Sequence, residues 1–102
     1  MIDILAAVLM GLAVFGAALY IYICVFITVL VVADLFNKWK LKNSVNKDDI
    51  GFLINEGINN GKYQTVSGVF NKSTGQVKDA WRIQGEKGID KEFTDEVLTL
   101  FS

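Results

Sequence analysis

Ile4 to Ala33 is a run of 30 residues without a charge, and no Pro, Asn, Gln or His interrupts it. A spanning helix takes about 20 apolar residues at 1.5 Å rise each. The run is therefore long enough for one tilted pass and too short for two passes with a turn. Gly11 and Gly16 are its only candidate breaks, and glycine is common in membrane helices. A cleaved signal peptide needs a basic start and an apolar stretch about half this long. Here no Lys or Arg precedes Lys38. The run thus predicts an uncleaved single-pass transmembrane helix over residues 1–36.

The flank after the run sets the expected orientation. Lys38, Lys40, Lys42 and Lys47 follow it, whereas Asp3 is the only charged side chain before it. Lysines beside a span favour the cytoplasmic side. The reading is a bacterial inner-membrane protein with its N-terminus outside and its C-terminal domain in the cytoplasm. Lys38, Trp39, Lys40 and Lys42 would form the membrane-interface set, with the lysines drawn to anionic lipid headgroups. Residues 37–47 read as a basic juxtamembrane linker, and residues 48–102 as a small cytoplasmic α+β domain.

Within that domain, Ile50, Leu53, Ile54 and Ile58 recur at helical spacing, which predicts an amphipathic helix closed by Asn59-Asn60-Gly61. Residues 62–71 are rich in Tyr, Thr, Val and Phe, and after the turn cluster Lys72 to Gly75 the residues Val77, Trp81 and Ile83 alternate on one face, which predicts a β-hairpin. Trp81 reads as a hairpin aromatic over the core, with a ligand platform beside Arg82 as the alternative, and Asp79 interrupts its face. "GEKG" (85–88) reads as a second turn. "VLTLF" (97–101) predicts a third antiparallel strand, since a hairpin alone is marginal; the alternative is a helix capped by Asp90 and carrying Phe93, Val97 and Phe101.

Chemistry-bearing residues are sparse. The chain has no histidine and one cysteine, Cys24. It lacks the commonest acid–base side chain and metal ligand, and it has no disulfide or zinc set. "GINNGK" (57–62) has the wrong spacing for a phosphate-binding loop. Asn71-Lys72-Ser73 is a formal glycosylation sequon that a cytoplasmic domain would not use. From Asp48 onward nine acids face six bases, which argues against nucleic acid. No catalytic, metal or cofactor residue is assigned, and no enzymatic activity is expected.

One pattern inside the run points to assembly. Ala6, Ala13, Ala17, Tyr20, Cys24 and Thr28 fall near one face of a continuous helix. Small residues let helices approach closely in lipid, and hydroxyls bond across them. The expected function is a structural or interaction subunit, embedded in the lipid bilayer, of a homo-oligomer or with another membrane protein. The alternative is a small pore-forming effector whose cytoplasmic domain senses a ligand or partner.

Overall fold

The computed structural model describes residues 3–15 and 20–102. Two helices and five strands follow in the order α1 (Ile4–Phe15), β1 (Ile21–Ile27), α2 (Val29–Lys42), β2 (Asp49–Asn59), β3 (Lys62–Asn71), β4 (Gln76–Ile89) and β5 (Leu98–Phe101), with a 3-10 turn at Lys91–Phe93. The strands form one sheet in the order β1-β4-β3-β2-β5. β1 runs parallel to β4, and every other neighbouring pair is antiparallel. β1, α2 and β2 make a split β-α-β unit, and the β3–β4 hairpin fills the space between its strands.

Among the described residues no helix is long and apolar enough to cross a membrane. This corrects the expected transmembrane helix and the single-pass membrane placement built on it, with its outside N-terminus and cytoplasmic C-terminal domain. α1 has 12 residues and is ~18 Å long, short of the ~30 Å of bilayer hydrocarbon. α2 carries Asp34, Lys38, Lys40 and Lys42 along its length. Between them, "IYICVFI" is a strand. Its β-branched and aromatic side chains are strand formers, and mean hydropathy does not separate an apolar strand from an apolar helix.

The expected fold class, a membrane helix followed by an α+β domain with one amphipathic helix, is corrected at two further points. Residues 49–59 are a strand, not a helix. β2 lies inside a sheet covered on both faces, so Phe52 and Leu53 are both fully buried and the alternation that marks a half-exposed strand is lost. Asn60 and Gly61 both have positive φ and join β2 to β3 in a two-residue loop, the geometry that Asn-Gly supplies in a hairpin. "GEKG" is no turn either, because β4 continues through it to Ile89 while pairing with β1. Gly85 and Gly88 permit that pairing: a Cβ on Gly85 would lie 2.9 Å from the Ile27 side chain, and one on Gly88 2.8 Å from the Phe26 ring.

Each face of the sheet has its own core. On one face, Val32, Phe36 and Trp39 of α2 pack with Leu53, Val69, Trp81, Ile83 and Phe93. Their spacing in α2 is the i, i+4, i+7 stripe of an amphipathic helix. On the other face, Val8 of α1 packs with Phe52, Ile54, Val66, Phe70 and Ala80. Thr28 caps α2, its Oγ1 accepting from Val31 N at 3.1 Å. Asp90 Oδ2 accepts from Val29 N at 2.9 Å, so a carboxylate sits at the positive end of that helix. The side chain of Asn71, the sequon asparagine, is held by Asp49, Ser73 and Thr74, and the residue is 5% exposed.

Candidate functional site

β1 is an edge strand, paired with β4 on one side and with no described strand on the other. Five of its seven residues, Ile21, Tyr22, Ile23, Val25 and Phe26, are exposed, and none is charged. Natural edge strands are usually short, charged, bulged or covered. β1 has a register shift between Cys24 and Phe26, but it carries no charge and nothing among the described residues covers its exposed side chains. The opposite edge, β5, has four residues and follows Glu92, Asp95 and Glu96. It is short and acid-flanked, so only β1 offers a long apolar edge.

The residues expected to form one helix face are distributed over three elements. Ala6 and Ala13 are exposed on α1. Ala17 lies outside the described residues. Tyr20 precedes β1 and is 70% exposed, Cys24 lies within β1, and Thr28 is the cap of α2. Cys24 packs against the α2-side core and its Sγ donates to Gln84 O at 3.6 Å. Burial pushes its thiol pKa up, and the Glu86 carboxylate adds to the rise. Such a thiol is a poor nucleophile at neutral pH.

The expected interface set separates as well. Lys38 and Lys42 are exposed, with Lys38 paired to Asp34 at 3.1 Å, while Lys40 stands 4.8 Å over the Phe36 ring. Trp39 faces inward and is 8% exposed. Its Nε1 donates to Asp79 Oδ2 at 3.1 Å, tying α2 to β4. That bond explains why an aspartate interrupts the core face of β4.

Beside β1, a pocket of about 310 Å³ opens between α2 and the start of the β1–β4 pair. Tyr20, Tyr22, Trp39 and Trp81 supply aromatic wall, and Lys38 and Lys42 line it. The Tyr20 and Tyr22 ring centroids are 4.8 Å apart. Trp81 is 6% exposed, and its indole N–H is buried without a hydrogen-bond partner among the described residues. Leaving such a donor unmet costs about 1–3 kcal/mol. Sequence reasoning names Tyr20, Trp39, Lys38 and Lys42 as site residues for other reasons. It does not bring Tyr22 and Trp81 together, because only the non-local β1–β4 pairing does so.

Among the described residues no group of three or more His, Cys, Asp or Glu could hold a metal ion. The arrangement is suited to contact and recognition. Comparison with protein-family models, with curated proteins and with solved structures returned no match.

Proposed function

We propose that this chain is an assembly module that joins a second copy of itself through the free edge of β1. The observation that carries this reading is the seven-residue, uncharged and largely exposed strand "IYICVFI" at that edge. An edge strand presents unpaired N–H and C=O groups that template another strand, and main-chain hydrogen bonds then supply affinity. Antiparallel pairing of β1 with its own copy is self-complementary, as a two-fold interface requires. It sets no charge against another, because β1 carries none. Pairing of β1 with β5 would instead be head-to-tail, over four residues flanked by carboxylates.

The test is sedimentation of the full chain over a concentration series. The expected result is a reversible monomer–dimer equilibrium. Ile23→Lys, at a side chain that is 64% exposed, weakens it by about tenfold or more, equivalent to ~1.4 kcal/mol. Leu41→Lys, at an 87% exposed position on α2, leaves it unchanged. A wild-type chain that stays monomeric throughout, or equal weakening by both variants, overturns the reading.

A further inference from the structure

We infer that β1 pairs with its own copy in one register, with the two-fold axis at Tyr22, and that the irregularity after Cys24 enforces it. The inference rests on the self-pairing proposed above and fixes which residues meet. It follows from the backbone groups that β4 leaves free.

Along a strand, successive residues direct their backbone N–H and C=O to opposite sides. Tyr20 O accepts from Arg82 N at 2.7 Å, so Tyr20 faces β4. Tyr22 and Cys24 then face β4 too, and Ile21 and Ile23 direct their backbone groups away from it. At the other end of the strand, Ile27 O accepts from Asp90 N at 2.8 Å. Tyr20 and Ile27 lie an odd number of residues apart, so unbroken alternation could not turn both toward β4. The register shift between Cys24 and Phe26 supplies the change of phase. The free groups are therefore those of Ile21 and Ile23 before the shift and of Phe26 after it.

An antiparallel partner bonds to every second residue of a strand. Ile21 and Ile23 meet that spacing, and Phe26 does not. With the axis at Tyr22, Ile21 of each copy exchanges both N–H···O bonds with Ile23 of the other. Tyr22 then lies opposite Tyr22 as the closer, non-hydrogen-bonded pair. An axis at Ile23 leaves only the Ile23 pair before the shift breaks the ladder. An axis at Ile21 would take Ile23 beyond the start of β1 on the other copy. Registers through Phe26 either hold the shift inside the ladder or stop at one pair.

The side chains agree with this choice. Tyr20 and Tyr22 lie on the α2 side of the sheet, where they touch each other and border the same pocket. Ile21 and Ile23 alternate with them onto the other side and are exposed. The register sets Tyr22 against Tyr22 and Ile21 against Ile23, and aromatic and β-branched cross-strand pairs are what stabilise a sheet. Both outer edges of the joined sheet are then β5, short and acid-flanked, so assembly closes at two copies.

The experiment is disulfide trapping in the full chain. Cys24→Ala removes the one native thiol, and Tyr22→Cys, Ile21→Cys and Ile23→Cys are each introduced alone into that background. Residues directly opposite in a non-hydrogen-bonded pair have Cβ atoms ~4.5–5.5 Å apart, close to the spacing of a disulfide. Under mild oxidation Tyr22→Cys should therefore be trapped largely as covalent dimer. Ile21→Cys and Ile23→Cys should stay largely untrapped, because like residues sit diagonally there, ~7–8 Å apart. Sedimentation of each chain before oxidation reports the dimer itself. In the unmodified chain, a mixture of ¹³C-labelled and unlabelled protein should show an isotope-filtered NOE between the Tyr22 Hα protons of the two copies. Preferential trapping at Ile21→Cys or Ile23→Cys, or equal trapping at all three, in chains that sediment as dimers overturns the register and leaves the self-pairing intact. Should Tyr22→Cys sediment as a monomer, the unmodified dimer decides, and absence of the Tyr22 contact there overturns the register. An unmodified chain that stays monomeric at every concentration removes both the register and the self-pairing.

Discussion

Asp49 and Trp81 each bury a polar group, and they differ in how it is met. The Asp49 side chain is fully buried and accepts from Asn71 Nδ2 at 2.8 Å, Asn46 N at 2.9 Å and Lys78 Nζ at 2.7 Å. Burial acts to raise its pKa, but the three hydrogen bonds and the Lys78 charge outweigh it, so the net shift is downward. A carboxyl whose folded pKa lies below its unfolded value contributes stability that is fully present above the unfolded value, near 3.9, and lost as pH falls through the folded one. The urea midpoint should therefore drop as pH falls below about 4, and part of that drop should vanish in Asp49→Asn. At pH 7 the same substitution should cost about 2–3 kcal/mol, since it leaves Lys78 without its charged partner. Trp81 has no such compensation for its N–H among the described residues, yet its ring fills the α2-side core at 6% exposure. Trp81→Ala should cost ~3–5 kcal/mol by denaturant unfolding. A near-neutral result would show that the ring is not core.

At the scale of elements, β-branched and aromatic composition beside a turn cluster was sufficient to mark strands. Residues 62–71, the turn at 72–75 and the short strand after Val97 are of this kind, and β3, β4 and β5 stand there. β2, like β3, is covered on both faces, but its apolar spacing satisfied a helical template by coincidence, although Asn60-Gly61 carried a hairpin signal. The 30-residue apolar run failed for a related reason. Two buried faces and an apolar edge draw on the same residue types as a bilayer span, and no charge divides α1, β1 and the first turn of α2. The pocket was less legible still, since Tyr22 and Trp81 are brought together only by a parallel pairing that spans some 60 residues of chain. That pairing depends on two glycines. A Cβ on Gly85 would lie 2.5 Å from Gly88 O and 2.9 Å from Ile27 Cγ1, so Gly85→Ala should separate β1 from β4 and destabilise the fold by ~1–3 kcal/mol, as overpacking does. Accelerated amide exchange in β1, with β2 and β3 unaffected, would locate the damage; uniform loss would mean that β1 is integral to the cooperative unit.

For the whole molecule, the topology makes its two edges unequal. β3 and β4 form the centre of the sheet, flanked by β2 and β1, and each face is held by one helix. Opening free energy should accordingly be greatest in β3 and fall toward both edges, because edge strands keep one row of backbone groups in water. In a molecule that works alone, neither β1 nor β5 would respond to concentration. If β1 pairs with a second copy, mass action separates them: binding to the folded state stabilises in proportion to the logarithm of concentration above Kd. Outward-facing amides of Ile21–Ile27 should then exchange at edge-strand rates in dilute solution and slow by about tenfold for each tenfold rise in dimer over monomer. Amides of Leu98–Phe101 should not respond, since no partner covers them. Ile23→Lys should return β1 to the dilute rate at every concentration without altering β3. Protection that rises at β5 instead would move the interface to the other edge, and protection independent of concentration at both would leave the exposed apolar strand without a partner of its own kind.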